Sequence, residues 1–236
     1  MGPQTNDCYK SISAPSEGIY KEKGSKFLAF AYPVESEAQI KDLISRIKKE
    51  YFDARHHCYA YRLRHDYSIW RANDDGEPSS SAGRPILGQI LSNELSDILI
   101  VVVRYFGGIK LGVPGLIKAY KTASADAIAN SLICEKIATN DYSVTFPYER
   151  MNDIMKTLKD FGLYPHKQDF DNMCTIETKV RLRDEERFVE AMGDKGSVSK
   201  IEQTTNNIEQ NAQKSNFHPR FHQGRDASHL GRGTRV

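Results

Sequence analysis

The chain has 236 residues, 39% of them hydrophobic and 27% charged, a composition that can build the packed cores of two ordinary domains. Its longest apolar run, at 98–103, is far shorter than the roughly 20 residues of a membrane-spanning helix, and no signal peptide is recognisable. We therefore predict a cytoplasmic protein without membrane contact. The formal net charge of +2 is too small to indicate nucleic-acid binding, so a local patch would have to supply that function.

Strand and helix patterns alternate over residues 1–139. A hairpin is indicated by two β-favouring runs around Lys23-Gly24-Ser25, and a helix by apolar residues at helical spacing after Ser36. The predicted elements are a hairpin within 17–32, a helix over 36–51, strands at 57–63 and 66–71, a loop over 72–83, a helix over 85–91, a buried strand at 98–103, a loop over 104–114, a helix over 115–130 and an edge strand at 133–138.

The pattern changes near residue 140. Strands are predicted at 141–147, 164–170, 173–182 and 196–202, with helices over 148–161 and 184–192. This order, βαββαβ, is the ferredoxin-like split arrangement. We therefore predict an α+β protein with an N-terminal domain at 1–139 and a ferredoxin-like C-terminal domain at 140–203. The segment 141–203 is acidic, with 13 Asp and Glu against 10 Lys and Arg.

The last segment, 204–236, has few apolar residues and no periodicity, so we predict a disordered tail. Its three histidines, at 218, 222 and 229, would bind metal only adventitiously. The four cysteines are widely spaced and form no C-x-x-C pair, which favours reduced thiols over disulfides or a zinc site. No cofactor and no metal are therefore expected.

A glycine-rich turn joins the buried strand to the following helix within residues 104–121. Such a turn brings backbone amides close to a ligand, and the helix start favours an anion. Cations and aromatic side chains that could hold phosphates and stack on bases accompany it. The residues concerned are Arg104, Tyr105, Phe106, Gly107, Gly108, Lys110, Gly112, Gly115, Lys118, Tyr120 and Lys121. The spacing is neither Walker A nor G-x-G-x-x-G, and the glycines could instead serve only tight strand–helix packing.

A second candidate is the run Arg55-His56-His57-Cys58-Tyr59-Ala60-Tyr61. In a strand, His57, Tyr59 and Tyr61 share one face, which could present imidazole and phenol groups to a phosphate or a base. A half-buried sheet face is an equally good interpretation. Metal binding is less favoured, because adjacent histidines on a strand point to opposite faces.

A third candidate is the loop over 71–84, which places the carboxylates Asp74, Asp75 and Glu77 beside Ser79 and ends at Arg84. The carboxylates could hold a divalent cation, or one of them could act as general base for a serine or a water. A polar turn whose side chains cap backbone groups is the simpler alternative. We favour that turn, or a binding role, over catalysis.

These motifs carry a family resemblance. The runs RHHCYAYRL, RANDDGEPSSSAGRPILGQI and DILIVVVRYFGGIKLGVPGLIKAYKTASADAI resemble the IMPACT / YigZ family over about 17–135. The resemblance implies a βαβ-type N-terminal domain similar to a ribosomal-protein-like fold, and in bacterial members a second, ferredoxin-like domain. The residues that match its shared surface are Arg55, His56, His57, Asp74, Asp75, Glu77, Pro78, Ser79, Gly83, Arg84, Arg104, Tyr105, Gly107, Gly108, Lys110, Leu111, Gly112, Gly115, Lys118 and Tyr120.

The resemblance also implies a function in translation. Eukaryotic relatives regulate initiation by competing for an activator of the amino-acid-starvation kinase, with help from an additional domain that we do not expect in this chain. For the bacterial type it implies a protein that binds RNA or the ribosome, without accepted catalytic activity, and a partner in the translation machinery is an open possibility.

Three hypotheses result from the sequence. The first is RNA or ribosome binding through the residues around the glycine turn, with Arg84, Arg104, Lys110 and Lys118 on phosphates. The second is a hydrolase that uses Asp74, Asp75 or Glu77 as base or metal ligand and His57 as acid. The third is a protein-interaction regulator, favoured by the acidic segment 141–203. The oligomeric state is not predicted.

Overall fold

The structure is a computed structural model that describes residues 7–170 and 173–201. Its first part contains the strands β1 (Cys8–Ile12), β2 (Ser16–Glu22) and β3 (Ser25–Pro33), helix α1 (Glu37–Glu50), strands β4 (His56–Leu63) and β5 (Ile69–Asn73), helix α2 (Gly83–Ser92), strand β6 (Ile98–Tyr105), helix α3 (Gly112–Ala129) and strand β7 (Ile133–Ile137). Its second part contains β8 (Thr139–Phe146), α4 (Met151–Asp160), β9 (Pro165–Phe170), β10 (Cys174–Arg181), α5 (Glu185–Gly193) and β11 (Ser197–Lys200). The predicted α+β class is confirmed.

The main sheet has the strand order β2-β3-β6-β4-β5, and all neighbouring strands are antiparallel. Because side chains alternate along a strand, the sheet has two apolar faces. Helices α2 and α3 pack on one face, beside Phe27 and Val102, and α1 packs on the other through Ile40 and Ile47. Strand β6 lies at the centre, which explains why its whole run from residue 98 to 103 is apolar and buried.

Some predicted boundaries are wrong. Helix α3 begins at Gly112 instead of residue 115, because Gly112 has a positive φ of 72° that turns the chain into the helix. Pro114 then lies in the first turn, where its missing N–H leaves no helical hydrogen bond unmade. Strand β5 covers Ile69–Asn73 instead of 66–71.

Strand β1 was not predicted at all. It pairs antiparallel with β7, from Cys8 opposite Ile137 to Ile12 opposite Ile133, in a separate two-stranded sheet. The predicted edge strand at 133–138 therefore exists, but it is not an edge of the main sheet.

The residues after 138 form a four-stranded antiparallel sheet in the order β11-β8-β10-β9. Helices α4 and α5 pack on it around a third apolar core, which includes Val144, Ile154 and Phe188. Arg181 links this part to the N-terminal part through two hydrogen bonds of 2.9 Å to the Asp7 carboxylate. The described part of the chain contains no helix long and apolar enough to cross a membrane. The tail predicted to be disordered, 204–236, lies outside the described residues.

Candidate functional site

One end of the main sheet gathers most of the residues that the sequence singles out. Strand β4 begins there and β6 ends there, since His56 lies opposite Arg104 in the ladder. The DDGEP loop (residues 74–78) and the starts of α2 and α3 lie at the same end. The three candidates predicted from the sequence therefore meet at one end of the main sheet.

Asp74 acts as a cap for backbone amides. Its Oδ1 accepts hydrogen bonds from the backbone N–H groups of Ala82 at 3.0 Å and Gly83 at 2.7 Å, and its Oδ2 accepts one from Ser80 at 2.8 Å. These amides belong to the start of α2, which has no side-chain cap from Ala82 itself. The carboxylate is thus engaged on both oxygens, as expected for the capping alternative rather than for a general base.

Asp75 is held by two donors. One of its oxygens accepts a hydrogen bond from Lys48 Nζ at 3.0 Å, and the other accepts one from the backbone N–H of His57 at 2.7 Å. Burial alone would raise the pKa of this carboxyl, but these hydrogen bonds and the Lys48 charge outweigh it and hold the pKa below its usual value. Asp75 is therefore an ion-paired carboxylate at neutral pH.

His57 of β4 is not free to act as an acid. His57 Nε2 donates to the carbonyl of Tyr51 at 3.0 Å, and the buried ring has a pKa lowered mainly by desolvation, so it is neutral near pH 7. His56 Nδ1 lies 2.8 Å from the backbone carbonyl of Asp75. The prediction that His57 faces a phosphate or a base is wrong, because α1 and Tyr51 cover that face and leave the residue only 6% exposed.

Glu77 lies at the centre of a buried polar cluster, the Glu77 cluster (Cys58, Glu77, Arg104 and Tyr120). Glu77 Oε1 accepts hydrogen bonds from Arg104 Nη1 and, at 2.8 Å, from the hydroxyl of Tyr120. Cys58 Sγ lies 3.3 Å from that hydroxyl, and burial raises the pKa of the thiol to about 12. Burial also raises the pKa of Tyr120, so both groups are neutral at physiological pH.

Two predictions for residues of this cluster are wrong. Arg104 is only 6% exposed and its charge is paired with Glu77, so it cannot contact a phosphate. Tyr120 is fully buried and cannot stack on a base. Its ring packs edge-on against Phe27, with the centroids 5.1 Å apart. Both side chains stabilise the sheet end instead of binding a ligand.

The glycine turn (residues 106–111) combines packing and exposure. A Cβ on Gly107 would lie 1.9 Å from the backbone carbon of Gly24, so at this residue the packing alternative holds. Gly108, by contrast, has open space around it and a φ of +87°. Phe106 is 54% exposed and Ile109 57% exposed, so the tip of the turn faces solvent.

The remaining predicted residues are distributed around this turn. Tyr105 is partly buried and donates a hydrogen bond of 2.8 Å to Asp53. Gly115 packs on the Leu111 side chain, whereas Gly112 is exposed. Arg55, Ser79 and Arg84 are exposed at the surface. The Arg84 guanidinium lies 5.2 Å from the ring centroid of Trp70.

Three lysines form a solvent-facing group beside the turn, the lysine patch (Lys110, Lys118 and Lys121). All three are exposed, and none of them forms an ion pair with another described residue. Lys118 and Lys121 are three residues apart on α3 and share one side of it. The N-terminus of α3 has no side-chain cap from Leu111, so its amides remain available. An anion would meet uncompensated positive charge here.

A second basic surface was missed by the sequence analysis. Lys41, Lys48 and Lys49 of α1 border a groove of about 490 Å³ together with Tyr59 and Asn73. The signal was available, because residues seven and eight apart return to one side of a helix. The sequence prediction of this helix rests on its apolar positions alone and leaves the spacing of its lysines aside. We call this surface the α1 groove.

The acidic loop shows no metal-binding arrangement. Within residues 7–170 and 173–201, no three His, Cys, Asp or Glu side chains are grouped so that they could hold a metal ion. Each of the loop's three carboxylates instead accepts hydrogen bonds from the protein, as described above.

The DDGEP loop and the glycine turn lie within one region, residues 23–128, that matches a known family. The sequence model of the Impact N-terminal domain matches residues 23–128. The chain is 30% identical over 211 residues to the IMPACT family member YvyE of Bacillus subtilis, covering 86% of this chain and 97% of the relative. It therefore belongs to the IMPACT family, which confirms the predicted resemblance.

Two further comparisons show how far the similarity extends. The IMPACT family member YigZ of Escherichia coli is 32% identical over 144 residues, covering 60% of this chain and 71% of the relative. A crystal structure described as that of a hypothetical protein superposes with a TM-score of 0.65 at 25% identity, covering 84% of this chain and 99% of the other. The similarity thus extends beyond the N-terminal part.

Proposed function

We propose that this protein is a non-catalytic, translation-linked regulator that binds RNA, free or within the ribosome, through the lysine patch and the glycine turn. The proposal rests on the contrast between the acidic and the basic side chains at one end of the main sheet. The loop carboxylates are all engaged, whereas Lys110, Lys118 and Lys121 are exposed without an ion-pair partner among the described residues.

Exposed lysines without acidic partners are suited to phosphate backbones. Each phosphate that they neutralise releases counterions, which contributes affinity without sequence preference. Phe106, half exposed beside them, offers a ring on which an unpaired base can stack. The α1 groove adds Lys41 and Lys49, which are exposed and form no ion pair with a described residue, whereas Lys48 is paired there with Asp75.

The hydrolase alternative has less support. A general base needs an accessible lone pair close to its substrate, and Asp74 and Glu77 already accept hydrogen bonds from backbone amides or buried side chains. His57, the acid in that hypothesis, is buried and neutral. The protein-interaction alternative keeps the acidic segment 141–203 as its support.

The link to translation rests on membership of the IMPACT family, and cytoplasmic localisation is part of the same proposal. We also infer two domains, at 1–139 and 140–203. The second has the βαββαβ order and the sheet order β11-β8-β10-β9, which is the arrangement expected of a ferredoxin-like module. For the first, similarity to a ribosomal-protein-like fold stays a prediction.

The proposal can be tested with a matched pair of variants. Lys118→Ala/Lys121→Ala removes two exposed lysines of α3, and Lys156→Ala/Lys159→Ala removes two exposed lysines of α4 at the same three-residue spacing. Binding of the full chain to a labelled single-stranded RNA is measured by fluorescence anisotropy at several salt concentrations. Cosedimentation with ribosomes at low and high salt provides a second readout.

We expect the α3 variant to lose about tenfold or more in affinity, and the slope of log K against log salt to fall by about two. The α4 variant should bind as the unchanged protein does. Equal losses in both variants would show that only overall charge matters. Absence of binding to RNA and to ribosomes at low salt would refute the proposal.

A further inference from the structure

A cavity of about 360 Å³ lies at the opposite end of the main sheet from the lysine patch. Strand β4 ends there and β6 begins there, since Arg62 lies opposite Ile98 in the ladder. Strands β1 and β7 and the turn after α2 complete its walls. The cavity is lined by Tyr9, Lys10, Arg62, Tyr67, Leu91 and Glu94, among others. We call it the Arg62 cavity.

Arg62 is a buried cation that forms no direct ion pair with a described residue. It shares the face of β4 on which Cys58 and Ala60 enter the core, and only 6% of it is exposed. Its Nε is buried without a hydrogen-bond partner, and among the described residues no carboxylate lies within 4 Å of its guanidinium. Burial lowers the pKa of this guanidinium, although a hydrogen bond with Tyr67 and the charge of Glu94 act in the opposite direction. Charge in such a place is costly unless something pairs with it.

The cavity wall holds Arg62 in place by other means. The guanidinium carbon lies 3.7 Å from the ring centroid of Tyr67, a cation–π contact. Tyr67 has a φ of +61°, an unfavourable conformation for a bulky residue, and Glu94 has one of +55°. Strain of this kind persists only where the surroundings fix it. Backbone hydrogen bonds provide part of this constraint: the N–H of Tyr67 donates to the carbonyl of Arg64 at 3.3 Å, and the N–H of Glu94 donates to the carbonyl of Leu91 at 3.0 Å.

The charges at the rim limit what can enter. Glu94 is paired with Lys10 at 2.8 Å, and Glu135 lies opposite Lys10 in the β1–β7 ladder. These two carboxylates would repel an anion that carries several negative charges. One negative charge is sufficient to balance Arg62. The exposed part of Leu91 and the ring of Tyr67 supply apolar surface beside it.

We propose that the Arg62 cavity binds a small monocarboxylate with an apolar body. Its carboxylate pairs with Arg62, for which a planar guanidinium is well suited, and its body packs on Leu91 and Tyr67. The volume is in the range of small-molecule sites. The Arg62 cavity is separate from the lysine patch. The proposal that it binds a carboxylate therefore does not rest on the proposal that the protein binds RNA.

Nuclear magnetic resonance of the isotope-labelled full chain provides the test, with benzoate, hexanoate and inorganic phosphate as probes. We expect benzoate or hexanoate to cause saturable shifts at the Arg62 side chain and at the amides of Tyr9 and Lys10. Arg62→Gln should weaken binding by about tenfold or more. Leu91→Trp, which fills the cavity from its exposed rim, should block binding without changing Arg62.

A third variant acts in the opposite direction. Glu94→Gln removes an acid from the rim, so it should strengthen binding of the same carboxylates. Absence of saturable shifts in the unchanged protein would overturn the proposal, and so would equal binding by a folded Arg62→Gln or Leu91→Trp variant. Tighter binding of phosphate than of both carboxylates would overturn the assigned ligand class.

Discussion

Glu77 illustrates how a residue that suggests catalysis can serve structure. Its side chain is 4% exposed and contacts the side chain of Arg104, of which 8% is exposed, so the two charges are removed from water together. Burying such a pair adds little stability, but removing one partner leaves the other charge without compensation. The DDGEP loop is thus fixed to β6 and α3 by an electrostatic constraint.

We therefore predict that Glu77→Ala lowers the free energy of unfolding by about 3–5 kcal/mol. The control Glu149→Ala, at an exposed position, should change it by less than about 0.5 kcal/mol. Denaturant titrations of both variants followed by circular dichroism measure the difference. A loss for Glu77→Ala as small as that of the control would mean that Arg104 regains water or another partner.

His57 gives the protein a pH-dependent stability. Its folded pKa is lowered, mainly by burial, below the ordinary value of 6.5. The unfolded chain therefore binds the proton more readily, so the contribution of His57 to stability is complete above pH 6.5 and is lost as the pH falls through the folded pKa. The carboxyl of Asp75 acts in the same direction, but only below its own usual range near pH 4.

Stability should accordingly decline as the pH falls below 6.5, and His57→Gln should flatten that decline by removing the titrating group. Its overall stability can differ, so the slope against pH is the quantity to compare. An unchanged slope in His57→Gln would show that the histidine is protonated equally in both states.

At the scale of elements, the turn between β6 and α3 depends on two adjacent glycines for different reasons. A methyl group on Gly107 would collide with the backbone of the β2–β3 hairpin at Gly24, so one of the two elements must move. At Gly108 a methyl group meets nothing within 4 Å, and the only cost is the positive φ of 87°.

Gly107→Ala should therefore destabilise the protein by several times more than Gly108→Ala, for which we expect about 1 kcal/mol. Gly88→Ala, in α2 with free space around it, should be stabilising by about 0.5–1 kcal/mol. Thermal unfolding of the three variants gives the order. Equal effects at 107 and 108 would show that the hairpin yields easily.

The sequence predicted elements whose signal is local. The helical spacing of Ile40 and Ile47 and the apolar run of β6 reflect burial, and both elements are present. Strand β1 was missed because its partner strand, β7, follows more than a hundred residues later, and such pairing leaves no local pattern. At the site, periodicity could not show that the hydroxyl of Tyr120 finds Glu77 inside the core, so the ring was assigned to the surface.

At the scale of the whole molecule, the apolar cores suggest two units of unequal strength. Two cores cover both faces of the main sheet, whereas the part after 138 has one smaller core around Phe188. The parts are also joined, by the Asp7–Arg181 ion pair and by a hydrogen bond from the amide of Leu182 to the carbonyl of Ala138. Burial increases with chain length, so a segment of about 60 residues is marginal by itself.

A fragment of residues 1–139 should then fold by itself, because it contains β1 with its partner β7 and all strands of the main sheet. We expect it to unfold cooperatively and to retain the RNA affinity of the full chain, since the lysine patch lies entirely within it. The fragment 140–203 should melt at lower temperature than the same segment does in the full chain. Circular dichroism melts and amide spectra of both fragments measure this. An unfolded 1–139 fragment would show that the C-terminal sheet is part of the folding unit, and that the ion pair between Asp7 and Arg181 joins two halves of one domain.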